Sequence, residues 1–213
     1  MLIQRPVGQI SYSHDTEPQF CEFMEVMQQS MIIENSLPDT LRIKQLTHAR
    51  QLVVSNDQKE KIFDLNVLPL DSFSVSDIVT LNEVAETLFI KESMYGLKDL
   101  AGLEQVLALM NQYTFGRDYH PTIIDKAAYI WTALATKQLF HNGNKRTALL
   151  SGFLLLESNL MSLHYKGVQE LYDLSIALAE KAISQSDLRE YIVKNIRISP
   201  RALKIYGEQD DEN

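Results

Sequence analysis

A single cysteine, Cys21, in 213 residues excludes an internal disulfide and a cysteine-built zinc site, and it points to a reducing compartment. Cations are short too: 20 lysines and arginines stand against 28 aspartates and glutamates, for a formal net charge of -8. That balance disfavours a broad basic face for nucleic acid. It leaves room for a small anion site, which needs only a few cations and aimed backbone N–H groups. Long apolar runs are missing as well. No stretch approaches the ~18 residues of a membrane span, and "MLIQRPVGQISYSHD" lacks the uninterrupted apolar segment of a secretory leader. The expectation is a cytoplasmic protein with no membrane partner.

Glycine and proline are scarce, with 8 and 6 copies; no glycine falls between Gly8 and Gly96, and no proline between Pro121 and Pro200. Long stretches without either breaker favour helices. The length suits one substantial domain with an appendage, or two small domains. Residues 1–15 read as extended or irregular. Phe20, Phe23, Met24, Met27, Met31 and Ile32 then recur at near-helical spacing, and the sequence predicts an amphipathic helix over 16–36. After "SLPDT", a more polar helix is expected from Leu41 to about Val54, and then a connection with a short strand over 55–73.

From Ser74 the pattern tightens. Ser74 and Asp77 are spaced as a capping box, and Ile78, Leu81, Ala85, Leu88 and Phe89 form an apolar stripe. Further helices are expected over 100–112, from Pro121 onward, and over 144–159, 168–181 and 186–197; "TFGRDYH" is left for a short hairpin or loop. The expected architecture is all-α: a helical N-terminal extension over 1–73, a helical domain over 74–197 and an acidic tail over 198–213.

The chemistry concentrates in "QLFHNGNKRTALL", residues 138–150. The helix that follows Gly143 is apolar nearly all round, so its N-terminus points out of a rigid core. Unpaired first-turn N–H groups, the positive end of the helix dipole, Lys145 and Arg146 converge there, making an anion site. Gly143 permits φ > 0 or close backbone approach, and Asn142 or Asn144 can cap the helix or hold the loop. The plainer reading is a helix–helix connection with two solvated cations. Against it, each cation in a first turn costs ~0.3–1 kcal/mol unless something negative is present.

These residues carry a resemblance. "LFHNGNKRTALL" resembles the signature of the Fic/Doc family, and the likeness runs over roughly 78–197, through "YGLKD" and the P-T-x-x-x-K-A-A segment that starts at Pro121. The resemblance implies a Fic/Doc-like helical bundle with a short flap hairpin or loop. It implies transfer of AMP or of a terminal phosphoryl group from ATP or another nucleotide onto a protein hydroxyl. On it, Phe140 matches the phenylalanine that anchors the loop in the core. Gly143, Asn144 and Arg146 match the phosphate cradle, and Lys145 a position often cationic in the Doc branch.

Two positions depart from that pattern. Gln138 stands where the family carries the histidine that takes the hydroxyl proton, and an amide cannot accept it. Asn142 stands where an acidic residue holds Mg²⁺, so magnesium is expected to bind weakly or not at all. His141 and His120 are the neighbouring candidates for a base, with loop and helix-start roles as the plainer alternatives. "SMIIEN" matches the (Ser/Thr)-x-x-x-Glu-(Gly/Asn) pattern of an inhibitory helix in some Fic proteins, with Ser30, Glu34 and Asn35 at the specified positions. The resemblance implies a glutamate paired with an arginine of the nucleotide site, here Arg146. It also makes an antitoxin-like partner a candidate, and a homo-oligomer is compatible with it. Three readings stay open: an impaired or altered transferase, a catalytically inactive binding module, and a DNA-binding regulator with a helix-turn-helix within 16–73.

Overall fold

The structure is a computed structural model that describes residues 5–33, 40–45, 50–55, 60–89 and 96–206. The chain divides into two compact units: residues 1–70 with 197–213, and residues 71–196.

The first unit holds β1 (Gly8–Ser13), α1 (Glu17–Ile33), β2 (Thr40–Gln45), β3 (Arg50–Ser55) and β4 (Glu60–Leu68). A further strand, numbered β9 in chain order (Leu203–Ile205), belongs to it too. These strands form one sheet in the order β2-β3-β4-β1-β9. β1 runs parallel to β4, with Gly8 opposite Phe63 and Ser13 opposite Leu68; the other pairs are antiparallel. Ile10, Tyr12, Phe23, Leu52 and Phe63 make its core, with Phe20, Met24 and Met27 of α1 packed against it.

This corrects the all-α expectation and the helical extension. Of the first 73 residues, α1 alone is helical among those described. The segment expected as a second helix, Leu41 to Val54, is the β2–β3 hairpin, in which Thr40 faces Ser55 and Gln45 faces Arg50. The physical reason is the period. Leu41 and Ile43 alternate with cations, and Val53 and Val54 are β-branched, which suits a pleated surface better than a helical stripe. The tail reading is corrected as well: Pro200–Ala202 is a 3₁₀ turn, and β9 pairs with β1, Ile205 opposite Gly8. Residues 207–213 lie outside the described residues.

The second unit is helical around two central helices. In chain order it holds α2 (Val75–Phe89), α3 (Leu100–Met110), β5 (Tyr113–Thr114), β6 (Arg117–Asp118), α4 (Ile123–Thr136) and α5 (Asn144–Ser158). It continues through β7 (Met161–Leu163), α6 (Val168–Ala179) and α7 (Gln185–Asn195), and β8 (Ile196–Ile198) carries the chain out of it. α5 packs against α2, α4 and α6, while α4 also meets α3 and α7. Gly152 lets α5 approach α4, because a Cβ there would sit 2.6 Å from Cε3 of Trp131. Trp131 donates from Nε1 to Oγ of Ser175 on α6 at 2.7 Å, satisfying a polar atom in the core.

The local signals explain the elements. Ser74 and Asp77 exchange bonds at the start of α2, Asp77 N to Ser74 Oγ at 3.3 Å and Ser74 N to Asp77 Oδ2 at 2.7 Å, the reciprocal arrangement of a capping box. Thr122, not Pro121, caps α4, accepting from Asp125 N at 3.2 Å. Phe115 and Gly116, with φ of 53 and 75, turn β5 into β6, a two-residue hairpin connection with positive φ at both positions.

Candidate phosphate site at the mouth of α5

α4 ends at Thr136 with Lys137 as its C-cap, and Gln138 turns the chain with φ 50, a left-handed conformation uncommon outside glycine. Leu139 and Phe140 then plunge into the core. The loop is tied from two sides. Leu139 O accepts from the amides of Lys98 and Asp99 at 2.9 and 3.1 Å, and His141 N donates to Gly96 O at 3.0 Å. Asn144, buried in the first turn of α5, reaches back to Phe140: its Oδ1 accepts from Phe140 N and its Nδ2 donates to Phe140 O, both at 2.9 Å. Its Oδ1 and one Nδ2 hydrogen are thus spent on the loop, and its backbone N–H stands in the first turn of α5.

Gly143 makes the entry to α5 with φ 76 and ψ 6, and no side chain caps the helix. Asn142 Oδ1 instead accepts from Gly143 N at 2.9 Å. The amides of Asn144 and Lys145 therefore stand in a first turn where no intrahelical acceptor exists. Gln138, His141, Asn142, Gly143, Asn144, Lys145, Arg146 and Tyr172 line one cavity of about 150 Å³ at this point. A second cavity of about 340 Å³ adjoins it, sharing Arg146 and Tyr172 and adding Leu149, Val168 and Gln169.

α2 supplies the underside of the turn, and the sequence reading missed it. Asn82 donates to Asn142 O at 2.9 Å and to Thr147 Oγ1 at 3.0 Å, and accepts from Gly96 N at 3.2 Å. Glu86, one helical turn later and 0% exposed, accepts from Nη2 of Arg146 at 2.6 Å. A Cβ on Gly143 would collide with that carboxylate, so glycine is required there for space as well as for φ. The signal was present: Ile78, Asn82 and Glu86 recur every four residues on one helix face, and two polar residues on an inward face ask for partners. Tyr172, the other residue missed, comes from α6.

The two first-turn cations thus differ. Arg146 has an internal anion, whereas Lys145, likewise partly buried, makes no ion pair among the described residues. For magnesium, the lining side chains of the cavity offer neutral oxygens only. No carboxylate lines the cavity, and Asn142 Oδ1 already accepts from Gly143 N at 2.9 Å. Nor does any group of three or more His, Cys, Asp or Glu among the described residues suit a metal ion.

His120 lines neither cavity. It stacks on Tyr129 at 4.2 Å, and burial with the nearby Lys126 ammonium holds its imidazole below the usual histidine range. Of the inhibitory pattern, Ser30 lies on α1, where its Oγ donates to Val26 O at 2.7 Å and accepts from Ile198 N at 2.8 Å. Glu34 and Asn35 lie outside the described residues.

Residues 72–156 match the model of the Fic/DOC family. The chain is also similar to a Toxin Doc of Mycolicibacterium smegmatis, 30% identical over 114 residues, which covers 54% of this chain and 78% of that protein. The chain belongs to the Fic/Doc family. Its matched span contains α2, the β5–β6 hairpin, α4 and the signature turn into α5. The Fic/Doc unit therefore includes the helix that carries Asn82 and Glu86, in addition to the signature.

Proposed function

We propose that the cavity at the mouth of α5 binds the phosphate chain of a nucleotide such as ATP, and that transfer from it to a protein hydroxyl is impaired. The observation that carries this reading is the gathering of Gln138 and all of residues 142–146 around one cavity at an uncapped helix start. Such a start presents N–H groups and positive dipole to an anion, and Lys145 adds a charge that no described residue neutralises. The adjoining cavity, walled by Leu149, Val168 and Tyr172, suits a nucleoside held by apolar and aromatic contact. Gln138 can orient a hydroxyl but cannot take its proton. The similarity to a Toxin Doc supports a toxin–antitoxin setting, with an antitoxin-like chain as partner.

The DNA-binding reading carries less. A helix-turn-helix regulator needs paired helices in 16–73, where the described residues form one helix and three strands. No helix of the described residues is long and apolar enough to cross a membrane, which removes a helical anchor from among them.

Purified protein incubated with ATP labelled at the α or γ position tests the reading, alongside calorimetric titration with ATP. Binding without label on lysate proteins is the expected result for the wild type, and Gln138→His is expected to raise label transfer. Absence of ATP binding overturns the proposal. Wild-type transfer that Gln138→His leaves unchanged removes the impairment.

A further inference from the structure

Glu86 reaches the underside of the signature turn from α2 and is wholly buried. Its Oε1 pairs with Arg146 at 2.6 Å and lies so close beneath Gly143 that any side chain there would strike it. Oε2 has no hydrogen-bond partner among the described residues. A carboxyl group at that depth is costly to bury without a cation against it, and Arg146 stands there. The guanidinium is thus held by a partner that water does not reach. Lys145, the adjacent residue, faces the same cavity without an ion pair among the described residues.

We propose that Glu86 is a positioning residue that fixes Arg146 and cancels its charge, leaving Lys145 to supply the net attraction for a phosphate chain. Arg146 acts as an oriented donor, and the acid beneath it sets how tightly the site holds anions. This rests on the phosphate reading above. It assigns the two neighbouring cations different roles, and a glutamate 60 positions away in sequence decides the difference.

Calorimetric titration of the full chain with inorganic tripolyphosphate at low salt tests it. Glu86→Gln keeps the size and the acceptor oxygen but removes the charge, so it is expected to bind about tenfold tighter than wild type, the scale of one charged contact. Lys145→Ala is expected to bind about tenfold or more weakly, and the double variant Lys145→Ala/Glu86→Gln to return to about the wild-type affinity. A merely structural Glu86 would not tighten binding when neutralised. Equal or weaker binding by a Glu86→Gln protein with unchanged circular dichroism overturns the inference. If Glu86→Gln does not fold, Lys145→Ala decides: about tenfold loss or more supports the assignment, and any smaller loss overturns it. A wild type that binds no tripolyphosphate overturns the phosphate reading and this inference together, whereas binding without tightening in Glu86→Gln overturns this one alone.

Discussion

Removing either member of the Glu86–Arg146 pair has unequal consequences, because Glu86 is fully buried and Arg146 only partly so. Arg146→Ala strands a buried carboxylate and is expected to cost about 3–5 kcal/mol in urea unfolding, the usual range for breaking such a pair. Replacing both together, as Glu86→Leu with Arg146→Met, is expected to recover most of that loss. A double variant no more stable than Arg146→Ala would contradict the burial argument. Gly143→Ala meets two obstacles at once, a left-handed φ of 76 and the Glu86 carboxylate. Its expected cost is about 1–3 kcal/mol or more, read from the same unfolding curves. At this scale the signature residues were legible, since a turn between two helices brings six neighbours in sequence to one spot. Asn82, Glu86 and Tyr172 were not, because their partners lie far along the chain. The unfavourable pair of first-turn cations did point to a missing negative charge, and for Arg146 the fold itself supplies it.

Connections between elements depend on single side chains here. Asn144 makes both loop-closing bonds to Phe140, so Asn144→Ala leaves two buried backbone groups unpaired. That is expected to cost about 1–3 kcal/mol per unsatisfied group, and to raise amide exchange selectively over 138–141. Uniform exchange throughout the second unit would argue instead for general loosening. The helices of 74–197 were readable because their apolar faces, caps and breakers agree, as Ser184 and Asp187 do in the capping box of α7. The strands of the first unit were not. β2 and β3 are short, β4 mixes Lys61, Asp64 and Asn66 into its apolar run, and each depends on a neighbour that no local pattern names.

Acid should weaken the whole molecule through a group outside the site. His120 is held neutral by burial and by Lys126, against weaker opposing pulls from Asp125 and Asp118. Its folded affinity for protons is therefore below its unfolded one, so the unfolded state binds the proton first as pH falls below about 6.5. Stability is expected to drop through that window and to level once the folded ring also protonates. Melting temperatures followed from pH 7.5 to 5 check this, with His120→Phe expected to flatten the drop. A drop of the same size in His120→Phe would move the effect to other groups.

Strand β9, residues 203–205, hydrogen-bonds to β1, residues 8–10, and all of 71–196 lies between them. On a ribosome, β1 emerges first and then waits with one edge bare while the entire Fic/Doc unit is made. The signature turn can therefore be complete before the sheet is. A chain that ends at residue 196 and is released is expected to hold a folded signature unit and an unfinished sheet. The order of synthesis thus gives the site-bearing unit a period in which it must be stable with β1 still lacking the partner strand that the later residues provide.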